Sequence, residues 1–160
     1  MESITKNRQP PDVLRAMVER AYGGAEVPSG DGWCTEMTDG WFNVIYLITL
    51  RSGRRVVLKI APPSGVEVMT YERGAMATEL EALRLLASRL QGRVPVPAVH
   101  FADRGHELCD ADWFVMDHVS GMSFAAVRDT LPAAEQDSLG EAIGALNREI
   151  NTVRGTAFGP

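Results

Sequence analysis

The clearest chemistry in the sequence belongs to Lys59, set among apolar neighbours in Val56-Val-Leu-Lys-Ile-Ala61. Read as a strand, this stretch alternates: Val57, Lys59 and Ala61 face one way, Val56, Leu58 and Ile60 the other. An ammonium on a buried sheet face costs several kcal/mol unless an anion meets it. Two readings fit the strand alone. Either Lys59 is a cation for phosphate oxygens, held by a carboxylate, or it is an edge-strand lysine whose head snorkels to water. The stretch from about Glu72 to Leu90 reads as a helix and offers the carboxylate. With Glu79 set at 0° and ~100° per residue, Met76, Leu80, Leu83, Leu86 and Leu90 fall between about −20° and +100°. Glu79 lies at the edge of that apolar stripe and points toward the sheet, whereas Glu81 falls on the opposite face. Glu72 belongs to the first turn, where the helix dipole explains an acid.

Two further segments could serve the same chemistry. Asp39-Gly40-Trp-Phe-Asn43 joins two strand-like runs, and such a loop can fold backbone N–H groups over phosphates. It lacks the G-x-G-x-x-G spacing, so an ordinary hairpin turn is the competing reading. Trp113-Phe-Val-Met-Asp-His-Val119 is a strand followed by Ser-Gly, and its exposed main chain could match the edge of a nucleobase. A plain core strand with a turn is the alternative. His106-Glu-Leu-Cys109-Asp-Ala-Asp112 holds ligand-type side chains, but no second cluster stands at a zinc-like spacing, so it reads as a polar turn. No G-x-S-x-G elbow supports a serine hydrolase.

The elements that must position these residues follow from period and punctuation. Residues 1–11 read as a frayed, proline-punctuated lead-in. Leu14, Met17, Val18 and Ala21 form one face of a short helix over Asp12–Tyr22, stopped by Gly23-Gly24. WFNVIYLITL and RVVLKIA flank Arg51-Ser-Gly-Arg54 and predict a hairpin, with a preceding strand near Cys34–Thr38 and a turn at Asp39-Gly40. After the long helix, Gly92 and Val94-Pro-Val-Pro97 lead to an extended segment at Ala98–Ala102 and then to the strand Trp113–Val119. Pro132 opens a last amphipathic helix bearing Leu139, Ile143, Leu146 and Ile150.

The length of 160 residues and 45% hydrophobic content suffice for one buried core. A net charge of −5 argues against a nucleic-acid coat protein, and no run approaches a membrane span of roughly 18 apolar residues. The N-terminus has no apolar core for a secretory signal. Cys34 and Cys109, without framework spacing, fit a reducing cytoplasm.

The order of loop glycine, strand lysine, helix glutamate, then strand and glycine resembles the aminoglycoside phosphotransferase family, the small-molecule branch of the protein-kinase-like fold. DGWFNVIYLITL looks like its phosphate loop, RRVVLKIA its lysine strand, TELEALRLL its glutamate helix, VPVPAVHFAD the following extended segment and WFVMDHVSG the connection between lobes. The resemblance covers about residues 30–160. It implies an α+β fold: an antiparallel sheet of about five strands with one long helix, then the hinge and the first helix of the large lobe. The expected organisation is residues 1–28 as N-terminal helix and lead-in, 29–117 as kinase-like small lobe, and 118–160 as hinge and start of the large lobe.

Carried over residue by residue, Lys59 would hold the α- and β-phosphates of ATP or GTP, oriented by Glu79. Gly40 and Asn43 would lie in the phosphate loop, and Ile45 and Val57 would cover the base. Met116 would back the pocket, and main-chain atoms of Asp117 and Val119 would meet the base edge. The family's H-G-D-x-x-x-x-N loop and Mg²⁺-binding aspartate have no counterpart, since the three histidines precede FAD, ELC and VSG. The resemblance therefore implies a nucleotide-binding part of a phosphotransferase, with no catalytic or metal residues of its own and a small-molecule acceptor bound elsewhere. With its large-lobe partners missing, the stripe of helix 134–150 would favour a homodimer. The competing reading is a non-catalytic nucleotide-binding or protein-interaction module.

Overall fold

The computed structural model describes residues 4–38 and 40–155. Their elements are α1 (Pro11–Tyr22), β1 (Cys34–Glu36), β2 (Val44–Thr49), β3 (Arg55–Ile60), α2 (Ala75–Leu90), β4 (Val99–Asp103), β5 (Trp113–Asp117), α3 (Phe124–Val127) and α4 (Ala133–Ile150). Short 3-10 turns occupy Gly24–Glu26, Thr70–Glu72 and Arg128–Thr130. The chain divides into two compact units, Met1–Leu80 with Pro97–His118, and Glu81–Val96 with Val119–Pro160.

The first unit is built on one antiparallel sheet in the order β1-β2-β3-β5-β4. Its β2–β3 hairpin closes where the Ser-Gly pair predicts. Leu50 N–H donates to Arg54 O at 2.8 Å and Gly53 N–H to Leu50 O at 2.9 Å. Gly53 has φ +84°, a left-handed conformation that a side chain would strain.

The alternation of β3 sorts the sheet into two unlike faces. Val44, Tyr46, Ile48, Val56, Leu58, Ile60, Trp113 and Val115 form a dry cluster with Leu14, Met17 and Val18 of α1. Helix α1 starts with Pro11 at its first position, where a missing N–H costs nothing, and buries the face its i, i+3, i+4 spacing lays out. On the other face the strand register sets Ile45 opposite Lys59, Lys59 opposite Phe114, and Val57 opposite Leu47 and Met116. The fully dry face is therefore the one without Lys59.

Three expectations need correction. The lead-in is not frayed over residues 6–9. Asn7 Nδ2 donates to Ala61 O at 3.3 Å, Arg8 pairs with Glu36 at 2.6 Å, and Gln9 N–H donates to Tyr46 Oη at 3.2 Å. The long helix begins at Ala75 rather than Glu72, because Gly74 at φ +71° interrupts the helical path. Glu72 instead closes the 3-10 turn, accepting the Met69 N–H at 3.0 Å. Strand β5 ends at Asp117, two residues before Val119. Of the expected turn at Asp39-Gly40, Asp39 lies outside the described residues, as do residues 156–160 of the tail.

In the second unit, α4 follows Pro132 as expected, and none of its residues is buried. Leu139 and Ile143 are exposed. Arg93 donates to Glu149 at 2.8 Å and to Leu90 O at 3.3 Å, which ties the segment after α2 to α4. Helix α3 has no counterpart in the sequence reading, since four residues are too few to show a period. Among the described residues no helix is long and apolar enough to cross a membrane.

Candidate functional site

The first unit brings the ammonium and the carboxylate together. Lys59 Nζ stands 2.7 Å from Glu79 Oε1 and 2.6 Å from Oε2, so both carboxylate oxygens accept from one amine. The Lys59 side chain is 15% exposed and that of Glu79 33%, so the pair is sheltered but reachable by water. Strand alternation aims Lys59 off the sheet. The early turns of α2, anchored by buried Met76 and Leu80, deliver Glu79 to it. Glu81 is exposed, as the helical angle requires.

The residues expected around the base share this face. Ile45 lies directly across the β2–β3 ladder from Lys59, and Met116 directly across the β3–β5 ladder from Val57. Opposite residues in an antiparallel pair project to the same side. Ile45, Val57, Lys59 and Met116 thus form one patch, apolar apart from the ammonium. Gly40 joins it from the loop, since a Cβ built there would lie 3.4 Å from Ile45 Cδ1. The side-chain oxygen of Asn43 is buried without a donor among the described residues. Val119 belongs to the second unit and is exposed.

Asp117 is fixed by more than its strand. Its N–H donates to Ala98 O at 3.0 Å, so that N–H is already partnered within the sheet. Its carboxylate accepts from Ala98 N–H at 3.1 Å and Arg54 at 3.1 Å, and lies 2.9 Å from His100 Nε2. Burial opposes its ionisation, but the Ala98 N–H, Arg54 and His100 outweigh this and hold the carboxyl below the usual range. Tyr22 Oη lies 2.5 Å from His100 Nδ1. Burial pushes the Tyr22 hydroxyl up to about 12, so it stays a donor at neutral pH. Arg54 Nη2 also stands 2.8 Å from His100 Nε2, so the guanidinium, the imidazole, the Tyr22 hydroxyl and the Asp117 carboxylate form one polar cluster. Tyr22, Arg54 and His100 carry no signal in the sequence, because nothing in a linear pattern joins residues up to 78 positions apart.

A cavity of about 240 Å³ is lined by Phe42, Ala61, Val66, Val68, Met76 and Ala111, among others, with Glu72, Arg73, Arg104, His106 and Asp112 among its polar positions. It includes neither Lys59 nor Glu79. The polar turn after β4 is held by its own pairs, His106 to Asp112 at 2.7 Å and Arg104 to Asp112 at 3.1 Å. Cys109 is buried there. No group of three metal-ligating side chains occurs among the described residues.

The first unit is thus an α+β arrangement, a five-stranded antiparallel sheet whose central strand carries a lysine clamped by a glutamate of the following helix. The chain belongs to the phosphotransferase enzyme family, whose model matches residues 33–160. No curated protein matches it. Among solved structures, it is similar to a candidate aminoglycoside phosphotransferase from Ralstonia eutropha JMP134, at 19% identity and a TM-score of 0.49. That match covers 72% of this chain and 29% of the other.

Proposed function

We propose that this chain is the nucleotide-holding part of a small-molecule phosphotransferase, taking ATP or GTP on the Lys59 face of its sheet. The observation that carries the reading is the Lys59–Glu79 pair, a sheltered ammonium held by both carboxylate oxygens at 2.6 and 2.7 Å. Glu79 fixes the direction of the amine, and the amine meets α- and β-phosphate oxygens by charge-assisted hydrogen bonds. Ile45, Val57 and Met116 supply apolar surface for a base, and main chain near Asp117 reads its edge. The nucleotide, when bound, supplies the phosphoryl group.

Transfer to a hydroxyl also needs an aspartate to position the acceptor and ligands for Mg²⁺. None of the three histidines opens an H-G-D segment, and no group of three metal-ligating side chains occurs among the described residues. In this reading the present residues bind and orient the nucleotide. Alone, the chain binds nucleotide without turning it over at a useful rate.

The test is calorimetric titration with ATP, GTP and the matching nucleosides on the wild type and Lys59→Ala. Triphosphate binding that falls at least about tenfold in the variant, with nucleoside binding retained, supports the reading. Absence of triphosphate binding by the wild type at millimolar concentration overturns it.

A further inference from the structure

We propose that Lys6 is a positioning residue for the loop Gly40–Asn43, an inference that rests on the nucleotide reading above. Lys6 Nζ donates to Gly40 O at 2.6 Å and to Asn43 O at 2.8 Å. One ammonium therefore spans the loop from end to end, reaching it from 34 and 37 residues away. No carboxylate pairs with Lys6 among the described residues, so its half-buried head is satisfied by these two carbonyls.

The consequence for the loop follows from peptide geometry. A trans peptide holds its N–H antiparallel to its C=O. With the carbonyls of Gly40 and Asn43 turned to Lys6, the N–H groups of Trp41 and Val44 are turned away from it. The loop also leans on the lysine face of the sheet, because the Cβ position of Gly40 falls 3.4 Å from Ile45 Cδ1, and Ile45 is the ladder partner of Lys59. Lys6 thus fixes the peptide planes of the segment that leans on Ile45, the ladder partner of Lys59. A loop ordered before binding loses less freedom when phosphates arrive. The lead-in is held in reach for this task. Asn7 donates to Ala61 O at 3.3 Å and Gln9 N–H to Tyr46 Oη at 3.2 Å, so residues 7–9 are stitched to the end of β3 and to a side chain of β2.

A strap that merely adds stability would have the same contacts, and the experiment separates the two roles. ATP and adenosine (GTP and guanosine where the wild type prefers them) are titrated into the wild type, Lys6→Met and Lys6→Arg, with melting temperature as a folding control. The expected result is a roughly tenfold loss of triphosphate affinity in Lys6→Met with nucleoside affinity unchanged, and recovery of most of it in Lys6→Arg, which still donates to two carbonyls. Equal weakening of triphosphate and nucleoside, or no weakening, overturns the positioning role. Amide hydrogen exchange at Trp41–Val44 is measured without nucleotide. Faster exchange in Lys6→Met supports the clasp, and unchanged exchange overturns it even where nucleotide binds. A wild type that binds no triphosphate, by contrast, overturns the nucleotide reading itself.

Discussion

Replacing Glu79 by Gln and Lys59 by Met should destabilise the fold unequally, and the inequality tests whether the ammonium is desolvated. Lys59 is the more sheltered partner, 15% exposed against 33% for Glu79. In Glu79→Gln the amine keeps one neutral acceptor and loses the charge that offset its burial. Hydrogen bonds to charged groups contribute about 1.5–3 kcal/mol. The third of the Glu79 side chain that faces water allows hydration to recover part of this, leaving a loss of about 1–2 kcal/mol. In Lys59→Met the side chain keeps its apolar stem beside Ile45 and Phe114, and the freed carboxylate is open enough to hydrate. That loss should stay below about 1 kcal/mol.

The assay is urea unfolding of the wild type, both single variants and the double variant. The cycle should give a coupling of about 1–2 kcal/mol, with the double variant close to Lys59→Met. At 160 residues, Glu79→Gln should also lower Tm by roughly 2–8 °C. Additive single effects, with Glu79→Gln inside 0.3 kcal/mol or so of wild type, would mean that the pair is an ordinary hydrated surface contact. The case for a phosphate-facing amine would then lose its main support.

Other consequences can be measured on the same protein. Burial pushes the Cys34 thiol up to about 11, so at pH 8 it should alkylate roughly 100-fold more slowly than an unshifted cysteine and react freely only on unfolding; alkylation at the free-cysteine rate in the folded state would contradict its burial. Burial opposes ionisation of Asp103, but Arg20 at 3.0 Å and the Gly105 N–H at 2.8 Å prevail and hold its carboxyl low. Stability from such a lowered group is complete above the ordinary carboxylate pKa of about 3.9 and is lost as pH falls through the folded value, so Asp103→Asn should flatten the decline in Tm below about pH 4. Met17→Ala removes a fully buried side chain from α1 and should cost about 2–5 kcal/mol in urea unfolding, whereas a helix merely leaning on the lobe would lose little.

What the sequence disclosed, and what it withheld, follows from the reach of each signal. The hairpin was legible because alternation and a Ser-Gly turn are local, and Glu79 because a helical angle can be counted along one segment. The start of α2 is not legible, because Glu72 fits the apolar stripe as well as Glu79 does, and only the left-handed φ of Gly74 breaks the path between them. Lys6, His100 and Tyr22 were invisible for a different reason. Their roles consist of single polar contacts to distant segments, and no period or spacing encodes which carbonyl or ring a flexible polar side chain will meet. Much of the apolar ladder was readable, whereas the hydrogen bonds that hold the loop and the end of β5 had to be seen in three dimensions.

The two faces of the sheet also explain how a charged strand can be central to a stable lobe. Helix α1 and the even-numbered residues of β3 form the dry cluster, so the lysine face is free to stay partly hydrated. A one-residue slip of β3 would exchange the two sets, bringing Lys59 into the dry cluster in place of Leu58 or Ile60. An ammonium there would lack its carboxylate and cost several kcal/mol, more than a weakened ladder alone. Lys59 therefore disfavours the wrong register as well as equipping the right one. By the same reasoning, Lys59→Met should remove the charge from the site and also lower the free-energy penalty of misregistered pairing.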